Sequence, residues 1–354
     1  MSETLTVQTF TFEDGTTLRD VPVSYQTWGT LNAAGDNAVL VCHALTGDPD
    51  VPDWWGALLG RDRALDPTED FVVCLNVPGS PYGTVSPLTE NPKTGARYRT
   101  DFPVVTTRDT VHLHRRALEQ LGVRRVACAV GGSMGGMHVL EWAFETTDDG
   151  APFVQSIVPI AVGGRHSAWQ IGWSEAQRQA IYSDPKWQGG EYPLDDPPTS
   201  GLSTARMMAM VSYRSRDSLN GRFGRERMEE QSEKPYAVES YLRHQGKKLV
   251  DRFDPQCYVT LTKQMDTHDV SRDRGEYEAV LASIQQPTLV VGIDSDVLYP
   301  LSEQQELVQH LPQATLEILS SPHGHDSFLI ELEELSEMVA GWRANANVPS
   351  SVAA

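Results

Sequence analysis

The residues most suggestive of chemistry form a glycine-rich stretch, Gly-Gly-Ser-Met-Gly-Gly, at positions 131–136. An apolar run at 126–130 precedes it, and a run typical of a helix, at 137–144, follows it. A serine between glycines in a strand–turn–helix segment is typical of a nucleophile elbow, because the strained turn leaves no space for larger neighbours. An ordinary glycine turn has the same local pattern, so Ser133 needs partners elsewhere in the chain.

Candidate partners follow two later apolar runs. A serine hydroxyl becomes a useful nucleophile when a histidine, oriented by a carboxylate, takes its proton. In an elbow-type fold the order along the chain is Ser, then Asp or Glu, then His. Asp294 and Asp296 come after the run at 288–293, and His323 and His325 come after the run at 314–319. Spacing alone leaves all four Asp–His pairings open.

An oxyanion hole needs two backbone N–H groups near the nucleophile. The residue after the serine, Met134, supplies one in an elbow-type site, and an early strand–helix loop supplies the other. The loop after the apolar run at 38–42 reads His-Ala-Leu-Thr-Gly-Asp, which makes Leu45 the natural second donor. His43 precedes the serine in the chain, so we interpret it as a structural residue that shapes this loop.

The elements that must position these residues alternate between short apolar runs and amphipathic segments. Short, wholly apolar runs are typical of strands buried on both faces of a sheet. We predict helices at 107–121 and 331–342 and an antiparallel hairpin at 7–12 and 21–26. The predicted strands are 38–42, 71–75, 126–130, 157–161, 288–293 and 314–319. Together these predict an α/β fold with a mostly parallel sheet, helices on both faces and the hairpin at one edge.

The segment 163–285 breaks this alternation because its pattern is helical. We predict a core domain at 1–162 and 286–354 with an inserted helical lid at 163–285. Within the lid, the Pro- and Asp-rich piece 192–198 predicts a loop, and 345–354 predicts a frayed tail.

Composition restricts the function further. The 354 residues carry a formal net charge of −19, which argues against nucleic acid or an anionic membrane as a partner. That charge fits either a salt-tolerant source or simply an acidic enzyme. The start of the chain is polar, with no signal-peptide pattern, so we expect a cytoplasmic protein. The four cysteines lack a C-x-x-C spacing, and we expect neither a disulfide nor a metal site.

Over nearly its whole length the chain resembles the homoserine O-acetyltransferases of the α/β-hydrolase type. The resemblance rests on blocks spread along the sequence: HALTGD at 43–48, DWW at 53–55, FPVVTTRD at 102–109, GGSMGGMHVLEWAF at 131–144, AWQIGW at 168–173, AVESYLRHQGKKLVDRFDPQCYV at 237–259, DTHDVSRDRG at 266–275, SDVLYP at 295–300 and GHDSFL at 324–329.

This resemblance implies particular site residues. It implies Asp296 as the acid and His325 as the base of a triad with Ser133. It also implies that Arg206 and Tyr213, seven positions apart on a lid helix, line the acceptor pocket, and that Asp326 takes the substrate's amino group. A substrate with both a carboxylate and an ammonium group requires such a cation and anion.

The implied activity is acetyl transfer from acetyl-CoA to the hydroxyl of L-homoserine, through an acetyl-serine intermediate, in methionine biosynthesis. Acetyl-CoA would be a co-substrate, with no permanently bound cofactor, and a homodimer through the lid helices is implied. Three alternatives keep the same fold and triad: succinyl-CoA as donor, serine or another alcohol as acceptor, or simple ester hydrolysis. A catalytically idle binding protein is the alternative from another class.

Overall fold

A mostly parallel sheet forms the centre of the computed structural model, which describes residues 2–228 and 234–345. Those ranges contain eight strands: β1 Glu3–Thr11, β2 Thr17–Trp28, β3 Ala38–Cys42, β4 Phe71–Leu75, β5 Val126–Gly132, β6 Ile157–Ile160, β7 Thr288–Ile293 and β8 Ala314–Leu319. They pair in the order β1-β2-β4-β3-β5-β6-β7-β8. The hairpin strands β1 and β2 are antiparallel, β2 is antiparallel to β4, and the remaining neighbours are parallel.

Helices cover both faces of this sheet, as the alternating pattern predicts. The helices are α1 Val51–Trp55, α2 Thr107–Gln120, α3 Met134–Trp142, α4 Ala168–Tyr182, α5 Thr199–Tyr213, α6 Arg216–Phe223, α7 Ala237–Val250, α8 Pro255–Asp266, α9 Tyr277–Ser283, α10 Leu301–His310 and α11 Leu332–Asn345. Short 3-10 helices lie at Gly56–Leu58, Arg99–Asp101, Gln188–Gly190 and Gly324–Leu329.

The apolar runs became strands because each side of the sheet has its own core. In β3, Leu40 packs into one core cluster, while Val39 and Val41 pack into the cluster on the other side. Every residue of β3, β5, β6 and β7 is buried. Burial on both faces requires continuous apolar sequence, which confirms the predicted fold class.

Element ends differ from the predicted ones at a few places. The helix after the serine begins at Met134 rather than 137, because Gly135 and Gly136 lie inside its first turn. The hairpin strands are longer than predicted, since polar residues alternate along their exposed side. Helix α2 ends one residue early and is followed by Gly122 at φ 88°, a left-handed conformation that glycine adopts readily.

The segment predicted as a lid contains α4 to α9. Helix α5 packs between α4 and α7, and α9 contacts α10 of the predicted core. Residues 192–198 form a loop, as their composition predicts. The division into core and lid stays a prediction, and of the predicted tail only Asn345 lies within the described residues. No described helix has the length and apolar character needed to cross a membrane.

Candidate active site

Ser133 occupies a strained turn between β5 and α3. Its backbone has φ 56° and ψ −122°, a conformation rare for residues other than glycine. The N–H of Ser133 donates to the carbonyl of Ile160 in β6 at 2.9 Å, which fixes the turn against the sheet. The residue is buried with 7% of its surface exposed. Such strain points to a functional constraint on Ser133.

The glycines around Ser133 allow β5 and α3 to press against the end of β3. A Cβ added to Gly135 would lie 2.0 Å from the carbonyl oxygen of Cys42, and one on Gly131 would lie 2.6 Å from it. Neither distance is possible for real atoms, so both positions require glycine. This close approach brings the serine turn beside the loop that starts at His43.

Asp296 and His325 form a buried pair at the ends of β7 and β8. His325 Nδ1 lies 2.6 Å from Asp296 Oδ2, and both side chains are nearly inaccessible to solvent. The other oxygen, Oδ1, accepts N–H groups from Leu298 at 2.8 Å and Tyr299 at 2.9 Å. These bonds hold the carboxylate in one orientation and place the imidazole proton on Nδ1. Nε2 is buried without a partner among the described residues, which leaves it free to accept a proton.

The alternative acid and base take other contacts. Asp294 accepts hydrogen bonds from Ser320 Oγ at 2.7 Å and from the N–H of Ser321 at 3.1 Å. His323 Nδ1 lies 3.2 Å from Ser218 Oγ, on α6. Of the four pairings that spacing left open, the structure brings together Asp296 and His325.

Opposing effects set the pKa of His325. Burial acts most strongly and would lower the pKa, but the charge of Asp296, the hydrogen bond to it and the charge of Asp326 raise it. The result is a pKa above the ordinary histidine value. His325 is therefore a stronger base than a free imidazole.

Phe328 links the histidine to the serine turn. Its ring centroid lies 5.5 Å from that of His325, and a Cβ on Gly132, next to Ser133, would lie 2.7 Å from the same ring. Tyr299 stacks on His325 with ring centroids 5.1 Å apart. No hydrogen bond joins Ser133 to His325 among the described residues, but shared packing on Phe328 places them at one site.

The predicted oxyanion donors flank this serine. Met134 is the first residue of α3, where backbone N–H groups have no partner inside the helix. Leu45 is buried in the loop after β3. Among hydrogen bonds between described residues, the N–H groups of both Leu45 and Met134 lack an acceptor.

His43 fixes the peptide group that precedes Leu45. His43 Nε2 accepts the N–H of Val77 at 3.1 Å, so the ring proton lies on Nδ1, which donates to the carbonyl of Ala44 at 2.9 Å. In a trans peptide the C=O of Ala44 and the N–H of Leu45 point in opposite directions. The histidine therefore sets the direction of the Leu45 N–H. Burial lowers the pKa of His43, which keeps the ring neutral.

The predicted acceptor residues lie around His325. The Tyr213 ring, at the end of α5, has its centroid 5.7 Å from that of His325. The Arg206 guanidinium carbon lies 5.5 Å from the centre of the Tyr213 ring. Asp326 is next to His325 in the 3-10 helix that α5 contacts.

Sequence reasoning missed Arg214. Its Nε lies 3.2 Å from Asp326 Oδ2, so the carboxylate already has a cationic neighbour. Burial raises the pKa of Asp326, while Arg214, Arg206 and His325 oppose that rise. Arg214 directly follows Tyr213 in the chain, but nothing in that spacing predicts a contact with a residue more than a hundred positions away.

Comparison with known proteins places this site in context. A family model described as alpha/beta hydrolase fold matches residues 37–332. A homoserine O-acetyltransferase from Salinibacter ruber is 76% identical over 354 residues, which cover 100% of both chains. Two solved structures share the fold at low identity: esterase E22 (24% identity, TM-score 0.88, covering 97% of this chain and 99% of that one) and a homoserine O-acetyltransferase from Bacillus anthracis (23%, 0.87, 97% and 97%).

Proposed function

Because the chain belongs to the homoserine O-acetyltransferases, acyltransferases with the α/β-hydrolase fold, we propose that it moves an acetyl group from acetyl-CoA to the hydroxyl of L-homoserine. The observation that carries this proposal is the buried 2.6 Å pair of Asp296 and His325 beside the Ser133 turn. That arrangement can activate a serine at neutral pH.

The first half-reaction acetylates Ser133. His325 Nε2 takes the proton of Ser133 Oγ as the oxygen attacks the thioester carbon. The N–H groups of Leu45 and Met134 stabilise the oxyanion. The C–S bond then breaks, the thiol leaves with the proton from His325, and the acetyl group stays on Ser133 as an ester.

The second half-reaction transfers the acetyl group from Ser133 to homoserine. His325 takes the proton of the homoserine hydroxyl, whose oxygen attacks the acetyl-serine carbonyl. The bond to Ser133 Oγ breaks, and His325 returns the proton to that oxygen. O-Acetyl-L-homoserine leaves, and we place this product in methionine biosynthesis.

The acceptor is recognised by charge. Arg206 pairs with the homoserine carboxylate, and Asp326 accepts its ammonium group. The Tyr213 ring lies near both Arg206 and His325. Ammonium binding beside Asp326 favours the ionised carboxylate, which opposes the pKa rise that burial causes. The lid keeps water from the acetyl-serine, because hydrolysis would turn transfer into esterase activity.

We further propose a cytoplasmic homodimer that meets through the lid helices. Apolar side chains of Trp169 and Ile171 on α4 and Val211 on α5 are exposed, at 53%, 37% and 44%. A second copy would bury them. Light scattering across protein concentrations tests this assembly, and a monomer mass at every concentration would contradict it.

Thiol release from acetyl-CoA, measured with and without L-homoserine, tests the reaction. Release that depends on homoserine supports the transferase. Release without any acceptor favours ester hydrolysis, and release from succinyl-CoA alone would change the donor. L-Serine in place of homoserine tests the acceptor in the same assay.

A further inference from the structure

A cavity of about 390 Å³ opens beside the loop that follows β3 and contains Leu45. Ala44 and Thr46, the neighbours of Leu45 on either side, line it together with Arg206. The same cavity therefore borders both a proposed oxyanion donor and a proposed acceptor residue. Its volume falls in the range that small-molecule sites occupy.

Three cations line this cavity: the half-buried Arg206 and the exposed Lys248 and Arg252. Two carboxylates, Asp48 and Asp53, also line it, so its formal charge is +1 from three positive and two negative groups. The whole chain carries −19. A positive site in so acidic a protein is a local exception that favours an anionic ligand.

Two hydrogen bonds fix the Arg252 side chain and leave part of its guanidinium unpaired within the described part of the chain. Its Nη1 donates to the carbonyl of Thr46 at 2.7 Å and to the hydroxyl of Tyr82. The other guanidinium nitrogens, Nε and Nη2, donate to no described residue, although arginine carries five N–H groups. Lys248 likewise has no ion-pair partner within the described ranges, so both cations can meet an incoming anion.

We propose that this cavity is the entry site of the acyl donor and that Lys248 and Arg252 hold the phosphate groups of its CoA portion. The proposal rests on the function proposed above. Phosphates are the anionic part of that donor, and arginine and lysine side chains are suited to bind them. Phosphates held at the mouth leave the thioester arm to run inward past Thr46 toward Leu45 and Ser133.

The test uses Lys248→Gln and Arg252→Gln, with Lys247→Gln as the matched control. Lys247 lies next to Lys248 on α7 and is also exposed, but does not line the cavity, so its loss removes the same charge from the same helix. KM and kcat are measured with acetyl-CoA and with S-acetylpantetheine, which keeps the thioester arm and lacks phosphates.

We expect KM for acetyl-CoA to rise about three- to fivefold in each cavity variant and to stay unchanged in Lys247→Gln, since exposed ion pairs are weak. With S-acetylpantetheine all variants should match the wild type. A kcat loss with both donors in Arg252→Gln would instead reveal damage to the Thr46 loop and count against phosphate binding by that residue.

Two failures are distinguishable. If the wild type releases thiol from acetyl-CoA but both cavity variants keep its KM, the phosphate site is wrong while the function stands. If the wild type transfers acetyl groups from S-acetylpantetheine and never uses acetyl-CoA, both the donor and this site are wrong.

Discussion

Substitutions at His43 test the proposed oxyanion hole, because the two ring nitrogens make different hydrogen bonds. Nδ1 donates to Ala44 and thereby orients the Leu45 N–H, whereas Nε2 only accepts the N–H of Val77. An asparagine amide can reproduce the Nδ1 position, and a glutamine amide can reproduce the Nε2 position. His43→Asn therefore keeps the bond to Ala44, and His43→Gln keeps the bond to Val77.

The magnitudes follow from which bond is lost. Removing one oxyanion donor costs about 10²–10³-fold in kcat, and a Leu45 N–H that is present but badly oriented should cost less. We expect kcat to fall about 10- to 100-fold in His43→Gln, or about 1.4–2.7 kcal/mol, and only a few-fold in His43→Asn. Each variant leaves one buried backbone group unpaired, at about 1–3 kcal/mol of unfolding free energy.

Stability thus serves as the internal control. Both variants should unfold at similarly lowered Tm, so a difference in kcat between them cannot come from folding. Steady-state thiol release at saturating substrates gives kcat, and calorimetry gives Tm. Equal kcat losses in the two variants, or a smaller loss in His43→Gln, would refute the orienting role of His43.

Four further predictions address other residues of the site and its packing. In the proposed mechanism neutral His325 acts as the base, and its raised pKa means that protonation begins above the ordinary value of 6.5. The kcat/KM should therefore fall as pH drops, with a midpoint above that value. Asp296→Asn removes the carboxylate charge that does most to raise the pKa of His325, so the midpoint of the pH–rate profile should move to lower pH and kcat should fall about 10³–10⁴-fold. An unmoved midpoint would argue against the pairing of Asp296 with His325. Gly135→Ala places a Cβ 2.0 Å from the Cys42 carbonyl oxygen and should lower the free energy of unfolding by about 3 kcal/mol or more, whereas Gly341→Ala, with nothing within 4 Å, should be neutral or slightly stabilising. Chemical denaturation measures both variants, and equal stabilities would contradict this packing. Arg206→Gln should raise KM for homoserine about tenfold or more by removing a charged hydrogen bond to the carboxylate, and the initial rate against homoserine concentration measures it.

The sequence predicted the fold well where burial dictates composition. Strand β3 is a continuous apolar run because it is covered on both faces, and β7 follows the same rule. Helix α3 starts earlier than its sequence predicts, because helix propensity disfavours Gly135 and Gly136, whereas close packing against Cys42 requires Gly135.

The site was predictable in parts. The serine turn has a local signature, but Asp294 and Asp296 follow the same strand, and spacing cannot say which one faces the histidine. That choice depends on the turn at Leu298 and Tyr299, whose N–H groups orient Asp296. The Arg214–Asp326 contact joins the C-terminal end of α5 to the 3-10 helix Gly324–Leu329, and no local pattern encodes such a contact.

Intact-protein mass spectrometry after brief mixing with acetyl-CoA can detect the proposed acetyl-serine at Ser133. The wild type should gain the mass of one acetyl group, located on Ser133 by peptide mapping, and L-homoserine should remove it as O-acetylhomoserine appears. Ser133→Ala should gain nothing. An acetylated Ser133→Ala variant, or wild-type O-acetylhomoserine formation without any acetylated enzyme at rapid-quench times, would contradict the covalent mechanism.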